Sequence, residues 1–402
     1  MLGDLHYEAP QDADYRHARE QVLRHGPEAV FQLGDQGGYS HCGTWQSFME
    51  GLEFLTGFDR PFHTLIGNHD LEGHAYSTDA QAVAEWCQAF ALDEPYRTID
   101  LGEALAVCLS STRFRANTGC CHEVYLDESQ VEWLRSTLAE NRQRPTFIFS
   151  HAPPLGSGLR VLQSIHLKCP NAWLNHTDRP ERFIDIVNRN PQIKLWFSGH
   201  NHLGQWYRDS LSCVNQCTFV HTGVIGEVSR DGCRHSRLVE FDADGFTLST
   251  IDHATGAATA DLRHDYASGA GELLSPRVQE NGAVHFAPPA CPTGPDRVRI
   301  GRSTFALHRG MLVEFDVLLA APVGVVLDGL ADEQVRACGD ELHIVDRNGQ
   351  SRVFKANAQG RFMRIFEPNP NPPRPTCPSE ATMAGNAQAV HRNRRLPDEH
   401  AR

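Results

Sequence analysis

Four short apolar runs, each delivering a residue able to hold a metal or a proton, constrain this chain more than any other feature. Ala29-Val30-Phe31-Gln32-Leu33 precedes Gly34-Asp35, and Phe62-His63-Thr64-Leu65-Ile66 precedes Gly67-Asn68-His69-Asp70. Thr146-Phe147-Ile148-Phe149-Ser150 precedes His151, and Lys194-Leu195-Trp196-Phe197-Ser198 precedes Gly199-His200-Asn201-His202. Short runs rich in branched and aromatic residues, stopped by Gly or a polar residue, have the pattern of buried strands. Helical stretches lie between them. Asp14 to His25 and Gln81 to Phe90 are two, and Glu128 to Glu140 puts Val131, Leu134 and Leu138 on one face. Arg179 to Asn188 follows Asp178 as a cap, with Pro180 in the first turn. Strands alternating with helices imply an α/β domain, and ligands of such domains bind beyond the carboxyl ends of the strands. Four strand ends in order, all carrying Asp, Asn or His, are not explained as core histidines.

After His202 the pattern turns to β. Thr218 to His221, Leu238 to Phe241 and Phe246 to Ile251 read as strands, the last two joined by the turn Asp242-Ala243-Asp244-Gly245. The α/β domain is expected to span 1–253. Residues 254–272, small and polar, are expected to form a linker. From 273 to 367, short strands with Gly turns predict a β-rich accessory domain. The tail 368–402, dominated by Pro, Asn and Arg, is expected to be disordered.

Charge narrows the partners. Thirty-seven Lys and Arg against 50 Asp and Glu give a formal net charge of −13. That argues against strong non-specific nucleic-acid binding, which needs clustered positive charge. It does not exclude a small phosphate ester, because bound metal ions supply positive charge locally. The chain opens Met1-Leu2-Gly3-Asp4, with no basic start and apolar core, so a cytoplasmic location is expected for the sequence as given. The stretch Met311 to Ala331 contains Glu314, Asp316, Pro322 and Asp328 and reads as two strands rather than a membrane span. The twelve cysteines, Cys120-Cys121 and Cys213-x3-Cys217 among them, lack the C-x2-C spacing of common zinc sites and are expected to be unpaired structural thiols.

Hydrolysing a phosphate ester at neutral pH needs a strong nucleophile and compensation for phosphate charge. Two adjacent metal ions supply both, by acidifying a bridging water and clamping the phosphoryl oxygens. Such a site needs a bridging carboxylate, several neutral imidazoles and an oxygen ligand suited to Mn, Fe or Zn. Asp4-x-His6 places two ligands two apart on one side of an extended segment, and His200-x-His202 repeats the spacing. Asp35, at a strand end, is free to bridge. Asn68 offers a carbonyl oxygen and His151 another imidazole. His69, next to Asn68, must point elsewhere, which suits a general acid or a phosphate contact.

Asp4-x-His6, Gly34-Asp35, Gly67-Asn68-His69-Asp70, His151 and Gly199-His200-Asn201-His202 resemble, in order and approximate spacing, the five blocks of the calcineurin-like metallophosphoesterases. The resemblance covers about 1–253. It implies a four-layer α-β-β-α sandwich and a hydrolase of phosphomonoesters or phosphodiesters with two divalent or trivalent ions. It further implies that Asp4, His6, Asp35 and His202 hold one ion, and that Asp35, Asn68, His151 and His200 hold the other. His69 would protonate the leaving group and Asp70 would orient it. The run Leu126 to Leu138 followed by Phe147 to Pro154 is similar to the branch near cyclic-nucleotide phosphodiesterases and acid phosphatases.

Two departures stand out. The tyrosine ligand of purple acid phosphatases would fall at Gly38, and their first block lacks the equivalent of His6, so no tyrosinate iron site is expected. Only three residues precede Asp4, where the family has a buried central strand, so further apolar residues, with an export signal before them, are expected upstream. A non-catalytic metal-binding scaffold is the competing reading, but a scaffold has no need to keep every ligand and the acid. The loop histidines His41, His74 and His122 read as solvated rather than lining the cleft, His176 as a surface residue ahead of a helix cap with substrate contact as the alternative, and His221 equally as a strand-end residue or a neighbour of the site.

Overall fold

The computed structural model describes residues 1–114, 123–159, 172–175, 182–205, 210–230, 232–269 and 271–274, and between 297 and 364 the strands alone. His122, His176, Cys120, Cys121, the cap Asp178 and the tail 368–402 lie outside the described residues.

The first half alternates as expected. Helix α1 (Asp12–Leu23) leads into β1 (Val30–Gln32), and α2 (Trp45–Thr56) into β2 (Phe62–Thr64), which pairs parallel to β1. The short α3 (His69–Glu72) and α4 (Asp79–Ala89) follow, then β3 (Arg97–Asp100), β4 (Leu105–Cys108), α5 (Glu128–Glu140) and β5 (Thr146–Phe149). Next come α6 (Arg182–Arg189), β6 (Ile193–Ser198), β7 (Leu211–Val214) and β8 (Cys217–His221). Helix starts are set by side chains that satisfy otherwise unpaired N–H groups. Thr44 and Ser47 form a capping box on α2, and Thr78 and Asp127 cap α4 and α5.

Strands β3 to β8 form one sheet in the order β3-β4-β5-β6-β8-β7, with β4, β5, β6 and β8 parallel and the two edge pairs antiparallel. One face carries Val107, Ile148, Trp196 and Phe219 against Val131, Leu134 and Leu138 of α5 and Phe183 and Val187 of α6. The other carries Ala106, Phe147, Phe149, Leu195, Phe197 and Val220, which meet Phe31, Leu33 and Leu65 of the β1-β2 region and Phe246 and Leu248 from farther on. A third core joins α1, α2 and α4 to Leu2, Val30 and Ile66. Because side chains alternate across a strand, the parallel strands feed two cores at once, which is why they read as unbroken apolar runs.

Three residues stand where a central strand was expected. Leu2 N–H donates to Phe31 O at 2.7 Å and Leu33 N–H to Leu2 O at 3.0 Å. On the other side Arg237 N–H donates to Met1 O at 3.0 Å, and the Met1 ammonium donates to Arg237 O at 2.6 Å. Met1 to Gly3 thus stitch β1 to β9 (His235–Phe241).

The expected linker is a correction. Strand β9 pairs with β10 (Gly245–Asp252), and β10 with β11 (Ala257–Asp265), followed by β12 (Gly271–Leu273), in the sheet order β12-β11-β10-β9. Most of 254–272 is therefore strand. Ala257, Ala258 and Thr259 are exposed and carry no apolar alternation, while the buried positions include the charged Asp261, so the sequence pattern was masked. Backbone pairing to β10 from Asp252↔Ala257 to Gly245↔Asp265 holds the segment instead.

Eight further strands form two antiparallel four-stranded sheets. The first contains β13 (Arg297–Ile300), β14 (Ser303–His308), β15 (Met311–Asp316) and β16 (Ala321–Leu327). The second contains β17 (Gln334–Cys338), β18 (Glu341–Val345), β19 (Ser351–Ala356) and β20 (Phe362–Arg364). The apolar stretch after Met311 is the hairpin β15-β16, and among the described residues no helix is long and apolar enough to cross a membrane.

Candidate metal centre

Every predicted ligand arrives at one place. Asp4, His6, Asp35 and His202 bring ligand atoms within 4.8 Å of one another, and so do Asp4, His151 and His200. All of these residues are buried. His202 Nε2 lies 2.8 Å from Asp4 Oδ2 and 3.2 Å from His6 Nε2. His151 Nε2 lies 2.9 Å from Asn68 Oδ1, 3.1 Å from His200 Nδ1 and 3.8 Å from Asp4 Oδ2. Asp35 Oδ2 lies between the two groups, 3.4 Å from His6 Nε2 and 3.2 Å from His151 Nε2.

The loops reach this point through backbone that most residues avoid. His6, Asp35, His200 and His202 all have positive φ, at 42°, 57°, 69° and 51°. Left-handed backbone costs a non-glycine residue on the order of 1–2 kcal/mol, and such strain clusters at functional sites. It also corrects one expectation. Asp4-x-His6 does not converge by extended alternation; a left-handed bend at His6 turns the imidazole in. The motif glycines are explained by close approach. A Cβ on Gly67 would sit 2.2 Å from Asp35 Oδ1, and one on Gly199 would sit 2.2 Å from Asp4 Oδ1.

Hydrogen bonds aim the ligands. Asp4 Oδ1 accepts from His200 N–H at 2.6 Å, and Asp35 Oδ1 accepts from His69 N–H at 2.8 Å, which leaves each Oδ2 facing the centre. His6 Nδ1 is 3.3 Å from Gly37 O, and His151 Nδ1 is 2.6 Å from Leu33 O. A carbonyl can only accept, so both Nδ1 atoms carry a proton, and Nε2 is the nitrogen each ring directs inward.

Does the donor set fit a metal? Asp35 Oδ2 is buried and, among the described residues, has no hydrogen bond of acceptable geometry. A buried carboxylate oxygen left so is costly unless a cation meets it. Imidazole nitrogens and carboxylate oxygens converging on one point are the donors that Zn, Mn and Fe take. The residues fit.

Burial and mutual charge shape the protonation states. Burial would raise Asp4, yet His202 and His151 hold it down to about 2. Burial likewise opposes ionisation of Asp35, but His151 and His69 keep it well below its ordinary value. His151 would be lowered by burial and is instead raised to about 9 by Asp35 and Asp4. Burial dominates at His202, which falls to about 4.

The role expected of Asp70 is a second correction. Its carboxylate accepts backbone N–H from Asp35 at 2.8 Å, Gln36 at 2.9 Å and Gly67 at 2.9 Å, clamping the loops after β1 and β2 together. Burial, then the nearby charge of Asp35, raise it to about 6. The residue on His69 is Glu72, with Oε2 2.7 Å from Nδ1, and its other oxygen accepts from Asn68 Nδ2 at 2.6 Å. Burial would lower His69, but Glu72 and Asp35 raise it well above its ordinary value. Glu72 was open to discovery in the sequence, three residues after His69 at helical spacing. Tyr39 and Arg230 were not. The Tyr39 ring stacks on His6 at 4.4 Å, and Arg230 N–H donates to His202 O at 2.9 Å.

The other candidate histidines among the described residues differ in setting. His74 is exposed. His41 is half-buried against Glu50, at 2.5 Å, rather than solvated. His221 is a buried strand-end residue whose carbonyl accepts from Arg237 Nε at 2.8 Å. Cys42, Cys87, Cys108, Cys213, Cys217 and Cys233 are free thiols, as expected for the described cysteines.

The model of the calcineurin-like phosphoesterases matches residues 1–204, and the chain belongs to that family. It is 26% identical over 184 residues to a probable cyclic nucleotide phosphodiesterase of Rhodopseudomonas palustris, covering 45% of this chain and 60% of that protein. It is 27% identical over 187 residues to a glycerophosphodiester phosphodiesterase of Enterobacter lignolyticus, covering 45% of this chain and 58% of that protein. The matched part thus spans under two thirds of either relative. Among solved structures, a dimetal phosphatase from Danio rerio superposes with a TM-score of 0.47 at 13% identity, over 63% of this chain and 90% of that one.

Proposed function

We propose that the chain hydrolyses a phosphate ester at a two-metal centre. The observation that carries this is the position of Asp35 Oδ2, buried, without a protein hydrogen bond among the described residues, and within 3.4 Å of histidines from both ligand groups. One ion would be held by Asp4, His6, Asp35 and His202, and the other by Asp35, Asn68, His151 and His200. Ions of the Fe, Mn or Zn type suit these donors. When bound, they supply Lewis acidity, which generates a nucleophile from water near neutral pH and offsets charge on the phosphoryl oxygens.

The protein's own part is positioning and proton transfer. Glu72 holds His69 through Nδ1 and keeps the ring protonated, so Nε2 donates the proton to the departing alcohol oxygen. Asp70 keeps the Asp35 and Asn68 loops in register. The domain is read as a four-layer α-β-β-α sandwich, with the strands from 297 on as an accessory β-domain. Both relatives carry phosphodiesterase names, which favours a diester over a monoester.

The test is a panel of monoesters, linear diesters and cyclic nucleotides offered to metal-reconstituted protein, with elemental analysis of the same sample. Hydrolysis of at least one class with about two ions per chain is expected. Hydrolysis by protein containing no metal would sink the reading.

A further inference from the structure

Tyr39 belongs to no recognised block, yet it packs into the metal centre. Its ring stacks on His6 with centroids 4.4 Å apart and meets the edge of His69 at 5.2 Å. Its hydroxyl lies 3.5 Å from His202 Nδ1, the nitrogen of that ring turned away from Asp4. The Arg230 side chain hydrogen-bonds the same hydroxyl, and the Arg230 backbone N–H is tied to His202 O at 2.9 Å. Tyr39 therefore touches two proposed ligands of one ion, and Arg230 grips both Tyr39 and the backbone of His202.

We propose that Tyr39, held by Arg230, is a positioning residue that fixes His202 and His6 for the ion bound by Asp4, His6, Asp35 and His202. This rests on the two-metal reading. The polarity of the contact supplies the argument. Without an ion, His202 Nε2 donates to Asp4 Oδ2, so its Nδ1 is the acceptor for the Tyr39 hydroxyl. If Nε2 held an ion, the ring proton would sit on Nδ1, and Nδ1–H would donate to the Tyr39 oxygen. That oxygen has two lone pairs, one for Nδ1–H and one for the Arg230 guanidinium. The site thus offers an acceptor matched to the metal-binding tautomer at His202 Nδ1, which among the described residues faces the Tyr39 hydroxyl rather than a backbone carbonyl. His6 and His151 have Gly37 O and Leu33 O for that purpose.

Outer partners of metal-bound histidines are typically worth about 10- to 100-fold in metal affinity. Full-length protein, stripped and titrated with Zn²⁺ against a chromogenic chelator, resolves the two affinities. Tyr39→Phe keeps the stack and loses the hydroxyl. It should weaken one of the two sites by about 10- to 100-fold and leave the other within about threefold. Arg230→Met should weaken the same site by less, and Tyr39→Ala by more, since the stack goes too. Thermal melting of the metal-free variants separates this from a folding defect, which would weaken both sites together. Two wild-type affinities in Tyr39→Phe, or equal loss at both sites, overturns the inference alone. Failure of the wild-type chain to take up two ions overturns the two-metal reading and the inference with it.

Discussion

The Arg237 cluster and the candidate metal centre are both buried and polar, yet they are built on opposite principles. In one, Arg237, fully buried on β9, donates to Thr250 Oγ1 at 2.6 Å, Asp261 Oδ2 at 2.5 Å, Ser210 Oγ at 3.1 Å and His221 O at 2.8 Å, and also to Gln205 Oε1. A charge and its counter-charge are present and the donors have acceptors. In the other, His6 Nε2 faces His202 Nε2 at 3.2 Å, His151 Nε2 faces His200 Nδ1 at 3.1 Å, and Asp35 Oδ2 has no hydrogen bond of acceptable geometry among the described residues. In the first cluster the chain itself supplies the counter-charge, and in that sense it is closed. The second concentrates atoms able to ligate a cation, on backbone bent into left-handed conformations. A buried polar group is therefore not evidence of function; what distinguishes the candidate metal centre is the convergence of ligand atoms combined with strained backbone. The two are also joined. Gln205 lies three residues after His202 in the chain, so the closed cluster braces the loop that carries the open one.

The largest effect should come from breaking the open cluster at its centre. Asp35→Asn is expected to lose metal and turnover together, with a rate loss of about 10⁴-fold or more, since both the nucleophile and the charge compensation depend on the ions. Two bound ions with near wild-type turnover in this variant would falsify the bridging role.

Breaking the closed cluster should cost stability instead. Arg237→Leu leaves Asp261 buried without its partner and is expected to destabilise by about 3–5 kcal/mol, whereas Arg237→Leu with Asp261→Leu should recover much of that. Urea unfolding of the three proteins measures it. A double variant no more stable than the single one would show that the pair is not closed in the sense argued.

His69→Ala should keep both ions and lose about 10²- to 10⁴-fold in rate, the usual worth of general acid catalysis. The loss should shrink for nitrophenyl esters, whose leaving group needs little protonation. Glu72→Gln should give a smaller loss of the same kind, about tenfold, because the ring is kept but less well held. Equal losses on good and poor leaving groups would point to charge stabilisation alone.

The smallest effect concerns acid. His253 is pushed down to about 3 by burial, then by the neighbouring His235 and Arg234, and its ring contacts Gln21 Oε1 at 2.8 Å and Ser236 Oγ at 3.0 Å. Above its ordinary value of 6.5 the ring is neutral folded or unfolded, so it adds no pH dependence. Between 6.5 and about 3 the unfolded chain takes up a proton that the folded chain refuses, so stability falls as pH drops through that window. His253→Gln should flatten this part of the pH–stability curve. An unchanged slope would mean that His253 titrates normally in the folded protein.

The sequence by itself determined the α/β order, the buried strands and which Asp, Asn and His residues meet at the candidate metal centre. Those strands are buried on both faces, so their composition is local and legible, and strand ends must hand their next residues to one edge of the sheet. It was silent where composition carries no period. β11 begins with exposed Ala257 and Ala258 and buries Asp261, so only its hydrogen bonds to β10 reveal a strand. The partners of the ligands were likewise decided by tertiary structure. Asp70 was read as the orienter of His69 because it is adjacent in sequence, yet adjacent residues on a helix point to different sides, and Glu72 three residues on faces His69 instead. Tyr39 and Arg230 are 191 positions apart by number (230 − 39) and meet at His202 because separate loops fold over one point. Ligand identity is written in residue type, but the choice of which second residue holds each ligand depends on where loops close in space, and no local pattern encodes that.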